Sequence, residues 1–189
     1  MDAWEQSQDV VLAILAIIGY NKTIYRLFLE KEREMATLSV ELINPFLATA
    51  KKILSEVCFV DVGIQKPVLR ETVFDTNHWV IIVGVTGQLH GHVLLAMTER
   101  QACGIASKMA MMDVTQMDDF ASSAISELGN MIMGNVATVF SSSGIGIDIT
   151  PPTLSHGNVS FASKGGKALC VPMQFDGGGM DLYLALQQA

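Results

Sequence analysis

The sequence has few of the residues that nucleic-acid-binding, disulfide-rich and zinc proteins need. Only 12 of its 189 residues are Lys or Arg, against 19 Asp and Glu, and the formal net charge is −7. Nucleic-acid surfaces cluster basic side chains against phosphates, so nucleic acid is not expected as a partner. The three cysteines are odd in number and form no Cys-x-x-Cys pair. No disulfide framework and no metal site are therefore predicted, and a reducing cytoplasm is favoured.

The chain also lacks an apolar run of membrane-spanning length. The run VVLAILAII covers only residues 10–18, whereas a spanning helix needs about 20 apolar residues. Asp2, Glu5 and Asp9 precede it, while a secretory signal starts with basic residues. We predict no membrane span, and we interpret residues 1–34 as a helical extension that either lies outside the core fold or docks on it or on a second subunit. The main domain is then residues 35–189.

What the chain does contain is a regular alternation of helix and strand patterns in its first half. Asn44 followed by Pro45 predicts a helix over about 45–57, with Asn44 as N-cap and Pro45 at the first helical position. The runs HWVIIVGV and HVLLAM, joined by TGQLHG, predict a β-hairpin. A capping box at Thr98-x-x-Gln101 then predicts the start of a second helix.

The second half repeats this order in outline. Thr115-x-x-Asp118 predicts a capped helix running to about Ser142. The short β-like runs GIDIT, NVSFA, ALCVPMQF and DLYLALQ follow it, separated by turn residues. Helix followed by hairpin in both halves indicates an internal duplication. The predicted fold class is α+β, an antiparallel sheet with helices packed on one face.

The residues that stand out chemically lie in the long helix, in the stretch SAISELGN. Glu127 and Asn130 are three residues apart and share one helix face, and Ser123 lies one turn earlier. This spacing alone describes the polar side of any amphipathic helix. Gly129 and Gly134 each cost about 1 kcal/mol relative to Ala in a helix interior. We therefore expect another backbone or a partner to approach the helix closely at these glycines.

The stretch ASSAISELGNMIMGNVATVF and the following GIDITPPTL resemble the CheC/CheX/FliY phosphatases of bacterial chemotaxis, above all their CheX members. The signature of that family is Asp or Ser, then Glu, then Asn, and later Pro. Ser123, Glu127 and Asn130 match it in register, and Pro152 follows Asn130 after 21 intervening residues, one fewer than in the signature. The resemblance covers roughly residues 36–188 and leaves the first 34 unexplained.

This resemblance implies an enzyme that dephosphorylates a CheY-like response regulator carrying an aspartyl phosphate. Asn130 would hold the attacking water, and Glu127 would pair with a lysine of the partner. Ser123 and Pro152 are possible supports of the motif, although a helical serine is more often bonded to the preceding turn and Pro152 more often shapes a turn. The partner would supply Mg²⁺, and this chain would need no cofactor of its own. The resemblance also implies a homodimer joined through the sheet.

A near copy of the signature occurs in the first half. Thr37, Glu41 and Asn44 have the same spacing, and Pro67 follows Asn44 after 22 residues. A second, degenerate site at Glu41 and Asn44 is one interpretation. The other is structural: if a helix begins at Pro45, Asn44 is only a cap and Glu41 lies off the helix, so the shared face is lost. We favour the structural interpretation at this point.

A hypothesis from another functional class also has to be considered. The chain could be a non-catalytic module that binds receiver domains or flagellar-switch proteins and retains the helix only for docking. The pair Glu127 and Asn130 argues against this hypothesis, because a pure binder needs no amide placed to orient water. Binding without turnover would distinguish the two.

Overall fold

The computed structural model describes residues 39–161 and 167–188, so the predicted extension over residues 1–34 lies outside the described residues. Three helices and ten strands are present in this part of the chain. In chain order they are α1 (Val40–Cys58), β1 (Gly63–Ile64), β2 (Val68–Glu71), β3 (Val73–Phe74), β4 (His78–Gly87), β5 (Leu89–Thr98), α2 (Glu99–Ala110), α3 (Asp119–Ser142), β6 (Ile147–Ile149), β7 (Thr153–His156), β8 (Val159–Ser160), β9 (Lys167–Phe175) and β10 (Gly178–Gln188).

The large sheet is antiparallel and is built around two hairpins. Its strand order is β1-β9-β10-β5-β4-β6, with β2 also paired to β9 and β7 also paired to β4. The hairpins β4–β5 and β9–β10 meet at the centre, where Leu182 of β10 lies opposite Leu95 of β5. Each half of the domain thus contributes one hairpin, the arrangement that the internal duplication predicts. The α+β fold class is confirmed.

The main core lies between the helices and one face of this sheet. Alternate residues of β4, such as Ile81 and Val83, join the helices in it, while Val80 points to the opposite face, as the two-residue period of a strand requires. The opposite face carries a smaller cluster, over which Phe74 and Phe161 pack beside the short β3–β8 ladder. The helix-covered face therefore holds the larger share of the buried side chains.

Helix α1 begins five residues earlier than Pro45 indicated. Its N-cap is Ser39, Pro45 lies inside the helix, and the Ser39 carbonyl accepts from the N–H groups of Leu42 and Ile43 at 3.0 and 3.2 Å. Asn44 is therefore not the N-cap, and that prediction was wrong. Proline lacks an N–H and its ring crowds the carbonyl four residues earlier, here that of Glu41. The bonds from Leu42 and Ile43 to the Ser39 carbonyl lie ahead of it, so the first turn closes before Pro45 is reached.

The starts of the other two helices were predicted with mixed success. The capping box at Thr98 is confirmed: the Gln101 N–H donates to Thr98 Oγ1 at 3.3 Å, and the Thr98 N–H donates to Gln101 Oε1 at 2.8 Å. Helix α3 is capped by Asp118, whose carboxylate accepts from the Ala121 N–H at 2.8 Å. Thr115 was therefore the wrong cap, because a carboxylate closer to the helix occupies that role. The end at Ser142 is confirmed.

Strand β7 was missed by sequence reasoning, and it is important for the site. The segment Thr153–His156 has two exposed ends and no strong β-branched run, so its pattern does not predict a strand. It nevertheless pairs with β4 over four residues, from Trp79 opposite His156 to Ile82 opposite Thr153.

Among the helices of the described part of the chain, none has the length and apolar character of a membrane span.

Candidate active site

The candidate site begins with one exposed stripe on α3. Ser123, Glu127 and Asn130 are all exposed, whereas Ile125 and Leu128 between them are buried. The helix is anchored by its apolar side in the main core, and this anchoring presents the polar stripe to solvent. The shared face predicted from the spacing is present in the structure.

The stripe borders an open groove with a volume of about 760 Å³. Helix α3 forms one wall of the groove, and the segment around β7 together with the start of β4 forms the other. We call these the helix wall and the strand wall. The helix wall consists of Asp119, Ser122, Ser123, Ser126, Glu127 and Asn130, and the strand wall of Trp79, Pro151, Pro152 and Leu154.

The side chains of Glu127 and Asn130 have no hydrogen-bond or ion-pair partner among the described residues. The carboxylate of Glu127 can accept from a cationic donor, and the Asn130 amide offers both an acceptor oxygen and two N–H donors. Because the side chains lie one turn apart on an anchored helix, their spacing is set by the backbone. A molecule that enters the groove meets a carboxylate and an amide whose backbone positions are set by the helix.

Ser123 is already engaged within the helix. Its hydroxyl donates to the carbonyl of Asp119, one turn earlier, at 2.8 Å. Ser126 makes the same contact to Ser122 at 2.8 Å. This geometry agrees with the expected back-bonding of a helical serine, and it leaves the Ser123 oxygen as an acceptor only. Ser123 lines the groove without a proton to donate.

Pro152 is brought to the site although it is 21 residues beyond Asn130 in the chain. It is partly buried, and it lines the strand wall together with Pro151. It also lies close to α3, because a Cβ atom built on Gly129 would be 3.6 Å from Pro152 Cβ. The structure thus groups all four positions of the signature, Ser123, Glu127, Asn130 and Pro152, around one groove.

The two glycines of α3 have different surroundings. A Cβ atom at Gly129 would lie 2.7 Å from Ile81 Cγ2, so this buried glycine is where the helix approaches the sheet. A Cβ atom at Gly134 would meet nothing within 4 Å. The expectation of a close approach is right for Gly129, but the neighbour is a side chain of the protein's own sheet. An external partner is therefore not the reason for Gly129.

Sequence reasoning missed the aromatic part of the strand wall. Trp79 stacks on His156, with ring centroids 4.3 Å apart and an interplanar angle of 20°, and its Nε1 atom is buried without a hydrogen-bond partner in the described part of the chain. These two residues are 77 positions apart in sequence and meet only through the β4–β7 pairing. No motif connects them, so only the strand register could have revealed the pair.

The near copy in the first half has a different setting. Glu41 and Asn44 are both exposed on α1, so the argument that Pro45 separates them was wrong. The Ser39 hydroxyl donates to the Glu41 carboxylate, and together with the backbone N–H of Glu41 it lowers the pKa of that carboxyl. Thr37, the third member of the copy, lies outside the described residues.

The described residues contain no group of three or more His, Cys, Asp or Glu side chains arranged to hold a metal ion. The cysteines Cys58, Cys103 and Cys170 are buried and unpaired, and burial raises the pKa of the Cys58 and Cys170 thiols to about 11. None of the three lines the groove. The chemistry available at the groove is that of two carboxylates, Asp119 and Glu127, one amide and hydroxyl groups.

A comparison with protein families gives one match at this region. The model described as chemotaxis phosphatase CheX matches residues 79–174, a span that includes both walls of the groove. A relative from Thermotoga maritima, described as CheY-P phosphatase CheX, is 27% identical over 152 residues. The alignment covers 79% of this chain and 98% of that relative.

Solved structures of similar fold are also found. A CheX-CheY-BeF3-Mg²⁺ complex from Borrelia burgdorferi has a TM-score of 0.65 at 27% identity, covering 79% of this chain and all of the matched one (100%). A CheC-like superfamily protein from Shewanella sp. PV-4 has a TM-score of 0.70 at 22% identity, covering 79% and 99% of the two chains. The second likeness concerns the fold alone.

Proposed function

Because the chain belongs to the chemotaxis phosphatase CheX family, we propose that it removes the phosphoryl group from the aspartyl phosphate of a CheY-like response regulator. The observation that carries the proposal is the unpartnered pair Glu127 and Asn130, one turn apart at the groove. The similarity to a CheY-P phosphatase over 98% of its length and to a CheX-CheY complex supports the choice of substrate.

Asn130 is the residue that orients the nucleophile in this proposal. Its side-chain oxygen accepts a hydrogen bond from the attacking water, and its NH₂ group donates to phosphoryl oxygens. The water attacks phosphorus in line with the aspartyl oxygen, the bond from phosphorus to that oxygen breaks, and inorganic phosphate leaves with the water's oxygen. Phosphoryl transfer of this kind needs mainly alignment and charge stabilisation. An amide fixed on a rigid helix supplies the alignment.

Glu127 is the docking residue. Its exposed carboxylate pairs with a cationic side chain at the partner's phosphorylation site through a charge-assisted hydrogen bond. This contact sets the position of the partner along α3, so that Asn130, one turn on, reaches the phosphoryl group. Mg²⁺ is held by the partner and offsets phosphoryl charge there, as the composition of the related complex supports.

Ser123 and Pro152 support the site without taking part in proton transfer. Ser123 donates its proton to the Asp119 carbonyl, which leaves it a small group that lets the partner approach the helix. Pro152 stiffens the strand wall opposite Asn130 because its ring restricts the backbone. Glu41 and Asn44 are not assigned a second site, since neither of them lines the groove between α3 and the strand wall.

We propose further that the protein is a cytoplasmic homodimer and that the catalytic domain comprises residues 35–189. The sheet face opposite the helices supports the dimer, because Ile82 and Ala185 pack on its apolar cluster and stay partly exposed. The three unpaired cysteines agree with a reducing compartment. Sedimentation of the full chain at several concentrations tests the dimer, and a monomer throughout would rule it out.

The decisive experiment measures phosphate release from a panel of Mg²⁺-loaded, phosphorylated receiver domains. Wild type should accelerate release from at least one of them, and Asn130→Ala should lower kcat about 100-fold. The matched control is Asn135→Ala, an exposed asparagine on the same helix that donates to the Met131 carbonyl at 2.8 Å and faces away from the groove. Binding of a receiver domain with no acceleration by wild type would instead favour the non-catalytic binding module.

A further inference from the structure

We infer that Gly129 is a positioning residue: its contact with Ile81 sets the distance between the helix wall and the strand wall of the groove, and so the reach of Asn130. The inference rests on the proposed function, since it concerns how Asn130 is held for the reaction. Gly129 itself is buried and touches no substrate. It acts through the two walls.

The first step is the steric constraint at Gly129. A Cβ atom there would lie 2.7 Å from Ile81 Cγ2, closer than real Cβ atoms approach other atoms, and 3.3 Å from Ile81 Cδ1, which is a tight contact. Ile81 is fully buried, with 0% exposure, and β-branched side chains have restricted χ1 rotamers. A fully buried β-branched side chain has little room to move aside, so we infer that a side chain at position 129 lifts the helix instead.

The second step connects this contact to the strand wall. Ile81 lies on β4 opposite Leu154 of β7, and Leu154 lines the groove. A Cβ atom at Gly129 would also lie 3.6 Å from Pro152 Cβ, in ordinary contact with a second member of that wall. Gly129 is thus the point where α3 rests on the strands that carry the opposite wall.

The third step connects the contact to the reaction. Asn130 follows Gly129 directly, so a lift of the helix at Gly129 moves the amide away from the strand wall. A receiver domain that fills the groove rests on both walls, and the amide then misses the position of the attacking water. Misplacement of a catalytic group by about 1 Å can cost about 100-fold in rate. The presence of glycine at position 129 keeps this distance short.

The chain offers a matched control in Gly134. It lies on the same helix, and a Cβ atom there would meet nothing within 4 Å. Gly134→Ala should raise Tm by about 2 to 4 °C, because alanine is the better helix former. It controls for stability alone, since Gly134 lies one turn beyond Asn130 on the same side of the helix, and Asn135→Ala remains the control for kcat and KM. Gly129→Ala should lower kcat about tenfold or more with KM within about twofold of wild type. Because a partly unfolded sample also shows a lower apparent kcat with an unchanged KM, each rate is divided by the folded fraction, which circular dichroism gives at the assay temperature.

A rescue variant tests the contact itself. Ile81→Ala removes the atoms that a new methyl group at position 129 would strike, so Gly129→Ala with Ile81→Ala should recover kcat to within about threefold of wild type. A folded Gly129→Ala protein with wild-type kcat would overturn the inference. If Gly129→Ala does not fold, the single variant Ile81→Ala tests the inference. Loss of the Ile81 side chain lets the helix move toward the sheet, which should also reduce kcat. An unchanged kcat in Ile81→Ala would contradict the inference.

The same set of proteins separates failure of this inference from failure of the proposed function. If wild type accelerates phosphate release from no receiver domain, the proposed function is wrong. The melting temperatures then still test the contact, since Gly129→Ala and Ile81→Ala should be strongly non-additive when combined. Additive shifts in Tm would show that residues 129 and 81 do not set the helix position together, and the inference would fail on its own.

Discussion

The molecule carries two Glu-x-x-Asn pairs, Glu41 with Asn44 on α1 and Glu127 with Asn130 on α3, and all four side chains are exposed on a helix. The α3 pair lies in the middle of its helix, opposite a wall of other residues, and both side chains are unpartnered within the described structure. The α1 pair lies in the first two turns of its helix, and Glu41 is engaged by Ser39 at the helix start.

A glutamate and an asparagine at this spacing are therefore not by themselves the site. An amide and a carboxylate one turn apart occur on many helix surfaces, and α1 has them as well. What α3 adds is the strand wall opposite Asn130 and the glycine that lets the helix rest on the strands beneath it. Function is expected where the pair and its surroundings occur together.

The largest expected effect is the difference in kcat between alanine variants of Asn130 and Asn44. Asn130→Ala should lower kcat for phosphate release about 100-fold, because the attacking water loses the group that aligns it. Asn44→Ala should change kcat by less than about twofold, since no step of the proposed reaction uses it. Steady-state release from the same phosphorylated receiver domain measures both. Comparable losses in the two variants would show that α1 carries a second working site.

A smaller effect is expected at the two glutamates. Glu127→Gln should raise KM about tenfold with kcat less affected, because a charge-assisted contact becomes a neutral one. Glu41→Gln should leave KM unchanged. Titration of the receiver domain against each variant, at low and at moderate salt, gives both values. The salt dependence of KM should be weaker in Glu127→Gln than in wild type, and equal dependence would argue against a docking role.

Replacing Pro45 tests why the pair Glu41 and Asn44 is expected to be inactive. The cause is either the lack of an opposite wall or the effect of the proline on helix α1. Pro45→Ala returns an N–H to α1 for the Glu41 carbonyl and should raise Tm by about 2 to 4 °C, after allowance for the greater freedom of the unfolded chain. In the Asn130→Ala background it should restore no phosphate release. Phosphate release that reappears in this double variant would mean that Pro45 alone prevents Glu41 and Asn44 from acting as a site.

The smallest effect concerns the titration of Glu41. The hydrogen bond from Ser39 lowers the pKa of this carboxyl in the folded protein. The lowered pKa of Glu41 therefore stabilises the folded protein at pH values above the pKa that this residue has in the unfolded chain. This stabilisation is lost as the pH falls through the pKa of Glu41 in the folded protein. Ser39→Ala should raise the pKa of Glu41 toward the ordinary range of glutamate, which an NMR titration can follow. No change would mean that Ser39 is not the donor.

The fold and the motif helix could be predicted from the sequence because their signals are local. The capping box at Thr98, the β4–β5 hairpin and the shared face of Glu127 and Asn130 each follow from neighbouring residues. Of the strand wall only Pro152 was named from the sequence. Trp79 and Leu154 could not be predicted, because their place depends on the pairing of β7 with β4 across more than 70 residues. The start of α1 was mispredicted because Pro45 was given more weight than the first turn ahead of it.

Because β10 pairs with β5 at the centre of the sheet, the sheet can form completely only late in synthesis of the chain. Leu182 and Leu95 are ladder partners, so the middle of the sheet cannot close until residues 178–188 have left the ribosome. Contacts this distant in sequence slow folding, and they leave the β4–β5 hairpin with an open strand edge during synthesis. The newly made chain therefore passes through a stage in which α3 and its motif exist without the finished sheet beneath them.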